Sequence, residues 1–146
     1  MKYFLIIFAL LGTPTVFALN PCDKCDIERV LLVSENLDCL TTEMLNEFLC
    51  TFDKSCSVNV EYSEFSNETL YAVLEKAPTL FFQVIANGQF DNDILIEEIK
   101  NPINDLIDLQ SVYDNAKSLF FEKELKTKYL NALIIAAEKN GENLEE

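Results

Sequence analysis

Apolar residues along most of this chain recur at intervals of three and four. In "LTTEMLNEFLCTF", residues 40–52, Met44, Leu45, Phe48, Leu49 and Phe52 fall on one face of a helix. Thr41 stands where an N-cap belongs, with Glu43 in the first turn. Upstream, Ile27, Val30 and Leu31 align on a helix in "CDIERVLLVSENL", although its valines also fit a strand. In residues 64–88, Ser66 is placed to cap a helix whose stripe is Leu70, Val73, Leu74 and Ala77. Pro78 ends that helix, because the residue before a proline is pushed out of the helical region. Pro78 also suits the first position of another helix, one that buries Phe81, Phe82 and Ile85 and stops at Asn87-Gly88. "DNDILIEEIKNP" repeats the theme, with Asp91 or Asn92 as cap, Ile94, Leu95 and Ile99 as stripe and Pro102 as stop. Pro78 and Pro102 each follow a lysine by two positions, two matches that hint at a degenerate repeat.

The C-terminal pattern is the longest. Leu125, Tyr129, Leu133 and Ala136 or Ala137 form one stripe, Glu122/Lys126 and Glu124/Lys128 are spaced as i,i+4 pairs, and Asn140-Gly141 is a helix stop. Beyond residue 18, glycine occurs only at 88 and 141 and proline only at 21, 78 and 102, too little turn chemistry for a β-sandwich. The predicted fold class is therefore all-α, a compact array of five to six mostly short helices with a long C-terminal helix.

The start of the chain breaks this pattern. Met1 and Lys2 precede an unbroken apolar run, Tyr3 to Leu11, and Val16 and Ala18 are small residues spaced for cleavage after Ala18. This layout is that of a secretory signal peptide, and the run is too short to span a membrane. The expected organisation is a signal peptide over 1–18, a single helical domain over 19–141 and a frayed acidic tail over 142–146. The mature protein is expected to be secreted or periplasmic, with no transmembrane segment.

Charge narrows the partners. With 25 acidic against 11 basic residues, the net charge is −14, and loss of Lys2 with the signal makes it one unit more negative. Such a chain repels phosphate backbones, which excludes nucleic acid, and favours a cationic protein or envelope component. The absence of histidine removes Ser-His-Asp and Cys-His nucleophile systems and His-ligated zinc. Asp91, Asp93, Glu97 and Glu98 lack the glycine and glutamate spacing of an EF-hand loop. No pair of carboxylates is singled out for glycoside hydrolysis. Asn67-Glu68-Thr69 matches a glycosylation sequon and also reads as a helix start.

The remaining chemistry lies in five cysteines, Cys22, Cys25, Cys39, Cys50 and Cys56. In an oxidising compartment they are expected to form disulfides that staple the mature N-terminus, one thiol being left over. Cys50 and Cys56 flank the short loop "TFDKS" and are the first pair expected. Eleven helical residues separate Cys39 from Cys50 by about 16 Å, so Cys39 is expected to meet Cys22 or Cys25.

An alternative starts from the Cys22-x-x-Cys25 dithiol. "APTLFFQVIANGQ", residues 77–89, resembles the segment of thioredoxin-like proteins in which a cis proline leads a strand, and "SVNVEY", 57–62, alternates like a strand. The resemblance implies an α/β thioredoxin-like fold and a thiol–disulfide oxidoreductase using Cys22 and Cys25. Against it, a thioredoxin-like dithiol follows a buried strand and opens a helix, and only three residues separate Ala18 from Cys22. Asp23 and Asp26 also oppose a thiolate, with Lys24 a partial offset. No catalytic, cofactor or metal residues are assigned. The reading is an exported acidic binding protein without catalysis, with the oxidoreductase and a carrier of an apolar ligand as alternatives.

Overall fold

The computed structural model describes residues 22–88 and 90–145. The expected signal peptide, residues 1–18, lies outside the described residues. Seven α-helices are present among them: α1 (Ile27–Glu35), α2 (Thr42–Leu49), α3 (Val60–Lys76), α4 (Pro78–Asn87), α5 (Asn92–Ile99), α6 (Leu109–Ser118) and α7 (Lys123–Lys139). Single 3₁₀ turns at Leu37–Cys39 and Lys54–Val58 join them. The fold is all-α, and no strand occurs among the described residues. The thioredoxin-like alternative does not hold, because Leu80–Ile85 are helical in α4 and residues 57–62 run from a 3₁₀ turn into α3.

Acidic and amide side chains start most of these helices. Asp26 accepts from the backbone N–H of Glu28 and Arg29 at the head of α1, and Thr41 from Met44 at α2. Asn59, Asp91, Asp108 and Glu122 do the same for α3, α5, α6 and α7. Each cap satisfies donors that the first turn leaves free, and a carboxylate there also meets the positive end of the helix dipole. Pro78 opens α4 as the sequence predicts. Gly141, at φ +76, closes α7, with Glu142 N–H donating to Ala137 O at 2.8 Å. Gly88 ends α4 for a different reason: a Cβ there would lie 1.8 Å from the Phe90 ring.

α3 is the central pillar. It packs against α1, α4, α5 and α6, and Tyr62, Ser66, Asn67, Thr69, Leu70, Tyr71, Val73 and Leu74 are all buried on it. Here the structure corrects the expected start at Ser66. Asn59 is the cap, and Ser66 sits inside the helix with its hydroxyl donating to Ser63 O at 3.2 Å. Val58 and Val60 face solvent while Tyr62 is buried, so the alternating residues of 57–62 do not share one face as they would in a strand. α3 is thus as long as α7.

On the far side, α4 meets α7 through aromatic edges. Phe81, Phe82 and Tyr129 are mutually edge-on at 5.3–5.7 Å, and Phe121 closes on Phe82. α6 lies outside the array that the sequence predicts, yet its stripe of Leu109, Val112, Tyr113 and Ala116 has helical spacing and all four are buried. Of the C-terminal pairs, Glu124–Lys128 forms at 3.2 Å. Glu122 instead caps α7, and Lys126 donates to Lys117 O and Leu119 O at the end of α6. In the acidic tail, Leu144 packs on the core and Glu145 N–H donates to Gln110 Oε1 at 2.8 Å.

Glu98 closes the C-terminal end of α5 against α3. Burial raises its carboxyl above the ordinary value, against the lowering pull of the Asn67 hydrogen bond, and its place at the negative end of a helix dipole adds to the cost of ionisation. A raised folded pKa costs nothing below the unfolded value, and the cost grows as pH rises through the folded value. Glu98→Gln, which keeps an acceptor for Asn67, is expected to be more stable than the parent at neutral pH. The difference is expected to vanish below about pH 4. Urea unfolding at pH 7 and pH 3.5 checks both ends.

Candidate functional site

The five cysteines resolve into a staple. Cys22 bonds Cys50 and Cys25 bonds Cys56, and Cys39 is free and exposed. The expected Cys50–Cys56 pair does not form. The loop between them is part of the core: Phe52 lies edge-on to Phe48 and Tyr62, and the Thr51 and Tyr62 hydroxyls share a hydrogen bond of 2.6 Å. Cys56 is carried into the interior while Cys50 stays partly exposed at the end of α2. The segment 22–25 lies across both. The expected link from Cys39 to Cys22 or Cys25 fails because α1 stands between them as a spacer. Its nine residues span about 13 Å, far beyond a disulfide's reach.

"CDKCD" therefore works residue by residue as an anchor. Lys24 Nζ donates to Cys50 O at 2.7 Å, placing its charge on the last carbonyls of α2. Cys25 adopts φ 59, and its N–H donates to Thr51 O at 2.9 Å. Asp26 caps α1, and Arg29 in the next turn pairs with both Asp26 and Glu47. Lys24, read from sequence as a thiolate-stabilising charge, serves a helix C-terminus. The two sulfurs a dithiol enzyme would join to each other are each bound elsewhere. Burial raises Tyr62, beneath the staple, to about 12, with the Thr51 and Ser66 hydrogen bonds pulling the other way.

Of the four acids considered for cation binding, three take structural roles. Asp91 caps α5, Glu97 pairs with Lys100, and Glu98 meets Asn67. Among the described residues no three cysteine or acidic side chains converge as a metal set. The sequon asparagine is not on the surface: Asn67 is fully buried and makes four hydrogen bonds to the end of α5 and the loop after it.

Several surface grooves open among the described residues, and two of them combine apolar walls with charged residues. One, of about 510 Å³, runs between the Leu37–Cys39 turn and the α3–α4 junction, with Cys39, Lys76 and Pro78 on its walls. The other, of about 390 Å³, lies between α3 and the loop that leads into α6. Tyr71, Ala72 and Ile107 line it, with Leu106 at its edge, and Glu68, Glu75 and Asp108 are its charged residues. Tyr71 is held there by donating its hydroxyl to Ile99 O. Asn104 fixes the loop by donating to Glu68 Oε1 at 3.0 Å and accepting from Leu106 N–H at 2.9 Å. The same loop leaves Ile103 46% and Leu106 86% exposed. Sequence reasoning missed this groove. The alternation of apolar and acidic residues in "INDLID" was its available signal.

These features define a small all-helical domain stapled by two disulfides, which suit an oxidising compartment. No helix among the described residues is long and apolar enough to cross a membrane. No family model matches the chain, and no curated protein or solved structure is significantly similar to it.

Thiol titration of the native protein is expected to find one reactive thiol, abolished by Cys39→Ser with stability changed by less than about 0.5 kcal/mol. The pair Cys22→Ser with Cys50→Ser is expected to cost about 2–4 kcal/mol in urea unfolding.

Proposed function

We propose that this chain is an exported acidic binding protein whose partner presents a cationic, amphipathic segment to the groove between α3 and the α5–α6 loop. The observation that carries the reading is Leu106, an almost fully bare leucine set among Glu68, Glu75 and Asp108 with no basic residue lining the groove. An isolated exposed leucine needs no explanation. One at the edge of a groove with an apolar wall and an acidic border fits a segment that offers an apolar anchor between lysines or arginines. The net charge of −14 adds long-range attraction for such a partner. Export is supported by the two disulfides and by the n, h and c regions of residues 1–18.

Two experiments test this. Expressed with its own N-terminus in a secreting host, the protein is expected in the medium or periplasm, beginning at Leu19. An intact N-terminus on cell-retained protein would remove the export reading. For the groove, a synthetic amphipathic peptide of lysine and leucine is titrated calorimetrically against the parent, against Glu75→Gln with Leu106→Ser, and against the control Glu64→Gln with Glu138→Gln on exposed helix faces. The groove variant is expected to bind about tenfold more weakly and the control within about twofold of the parent. Equal losses in both variants, or binding unaffected by salt, would leave net charge or bulk stickiness as the cause and sink the groove.

A further inference from the structure

The sequon Asn67-Glu68-Thr69 sits in the middle of α3, and the fold uses the atoms that glycosylation needs. Asn67 is 0% exposed. Its Nδ2 donates to Glu98 O at 2.9 Å and faces Glu98 Oε2 and Asn101 O, both at 3.3 Å. Its Oδ1 accepts from Ile103 N–H at 3.1 Å. One side chain therefore ties α3 to the last turn of α5 and to the loop that shapes the acidic groove. Thr69, whose hydroxyl completes the sequon, is 2% exposed, and that hydroxyl is buried with no hydrogen-bond partner.

N-glycosylation joins Nδ2 of asparagine to C1 of a sugar. A lipid diphosphate leaves from that carbon, and the amide gives up one proton. At Asn67 the sugar would have to occupy the space of the α5 C-terminus. One of the two N–H donors would be lost, and Glu98 O, Asn101 O and Ile103 N–H would be parted from their partner. Buried backbone groups left in that way are strongly destabilising.

We propose that glycan attachment at Asn67 and completion of this fold exclude each other, so that the sequon is an internal clamp in the native protein and a trap for any chain modified before α3 and α5 meet. The exclusion is independent of what the groove binds.

The test places the full chain behind a host leader in a glycosylating secretory host, so that the outcome does not depend on the chain's own N-terminus. Three forms are compared: the parent, Thr69→Val, which removes the sequon and the unpartnered hydroxyl while leaving Asn67 in place, and Ile99→Asp, which puts a carboxylate at a fully buried core position and prevents packing. Glycosidase-sensitive mass shift reads modification, and protease resistance reads folding. Every protease-resistant parent chain is expected to lack the glycan, and every glycosylated chain to be protease-sensitive. A several-fold larger share of Ile99→Asp chains than of all parent chains is expected to carry the glycan. Thr69→Val is expected to give unmodified, protease-resistant protein in a yield at least equal to the parent's. A protease-resistant chain carrying a glycan on Asn67 would overturn the proposal. So would an Ile99→Asp chain as free of glycan as the folded parent, since burial would then not be what protects the site.

Discussion

The enclosure of α3 is the constraint on which the other elements depend. α3 is packed on four neighbours, so a polar side chain on its buried faces has to look for its partners inside the protein. Asn67 meets that requirement by reaching sideways to the end of α5 and the loop after it, and Tyr71 reinforces it by donating to Ile99 O. These bonds fix where α5 stops and how the loop to α6 leaves the core. The position of the groove, and the exposure of Ile103 and Leu106 beside it, follow from that.

The N-terminal staple does for the other end of the molecule what Asn67 does for α5. α2 ends at a cysteine whose carbonyl Lys24 covers, and α1 begins at an aspartate supplied by the same short peptide. The two disulfides hold that peptide across the α2 C-terminus and the following 3₁₀ turn. A segment with no secondary structure of its own is thereby tied to three elements at once. Closing two loops of this length removes freedom from the unfolded chain, which suits a domain built of mostly short helices.

Two groups stand apart among the acidic residues. Asp26, Asp53, Asp91, Asp108 and Glu122 are spent on helix starts, where an oxygen acceptor is required and a negative charge is favourable. Glu68 and Glu75 have no such duty. Glu68 directly follows Asn67 on the pillar helix, Glu75 stands about two turns further along, and Asp108 lines the same groove from the cap of α6. Composition alone gives one number for both groups.

What the sequence determined by itself were the local features. The stripes at Leu45, Phe48 and Leu49, at Phe81, Phe82 and Ile85 and at Tyr129 and Leu133 are buried as their spacing predicts, and Thr41, Pro78, Asp91 and Gly141 mark boundaries where expected. Periodicity and capping act within a turn or two, so they are written in neighbouring residues. Asn59 and Ser66 are both competent caps by that local rule, and in the fold Asn59 caps α3 while Ser66 is buried within it. The cysteine pairing was out of reach for the same reason. Spacing made Cys50–Cys56 the easy loop, but sulfurs pair according to which elements cross in space, and the crossing of the 22–25 peptide over α2 is a tertiary event. The fate of the sequon was decided at the same level, because Asn67 becomes a clamp only once residues 98–103, some thirty positions away, arrive beside it.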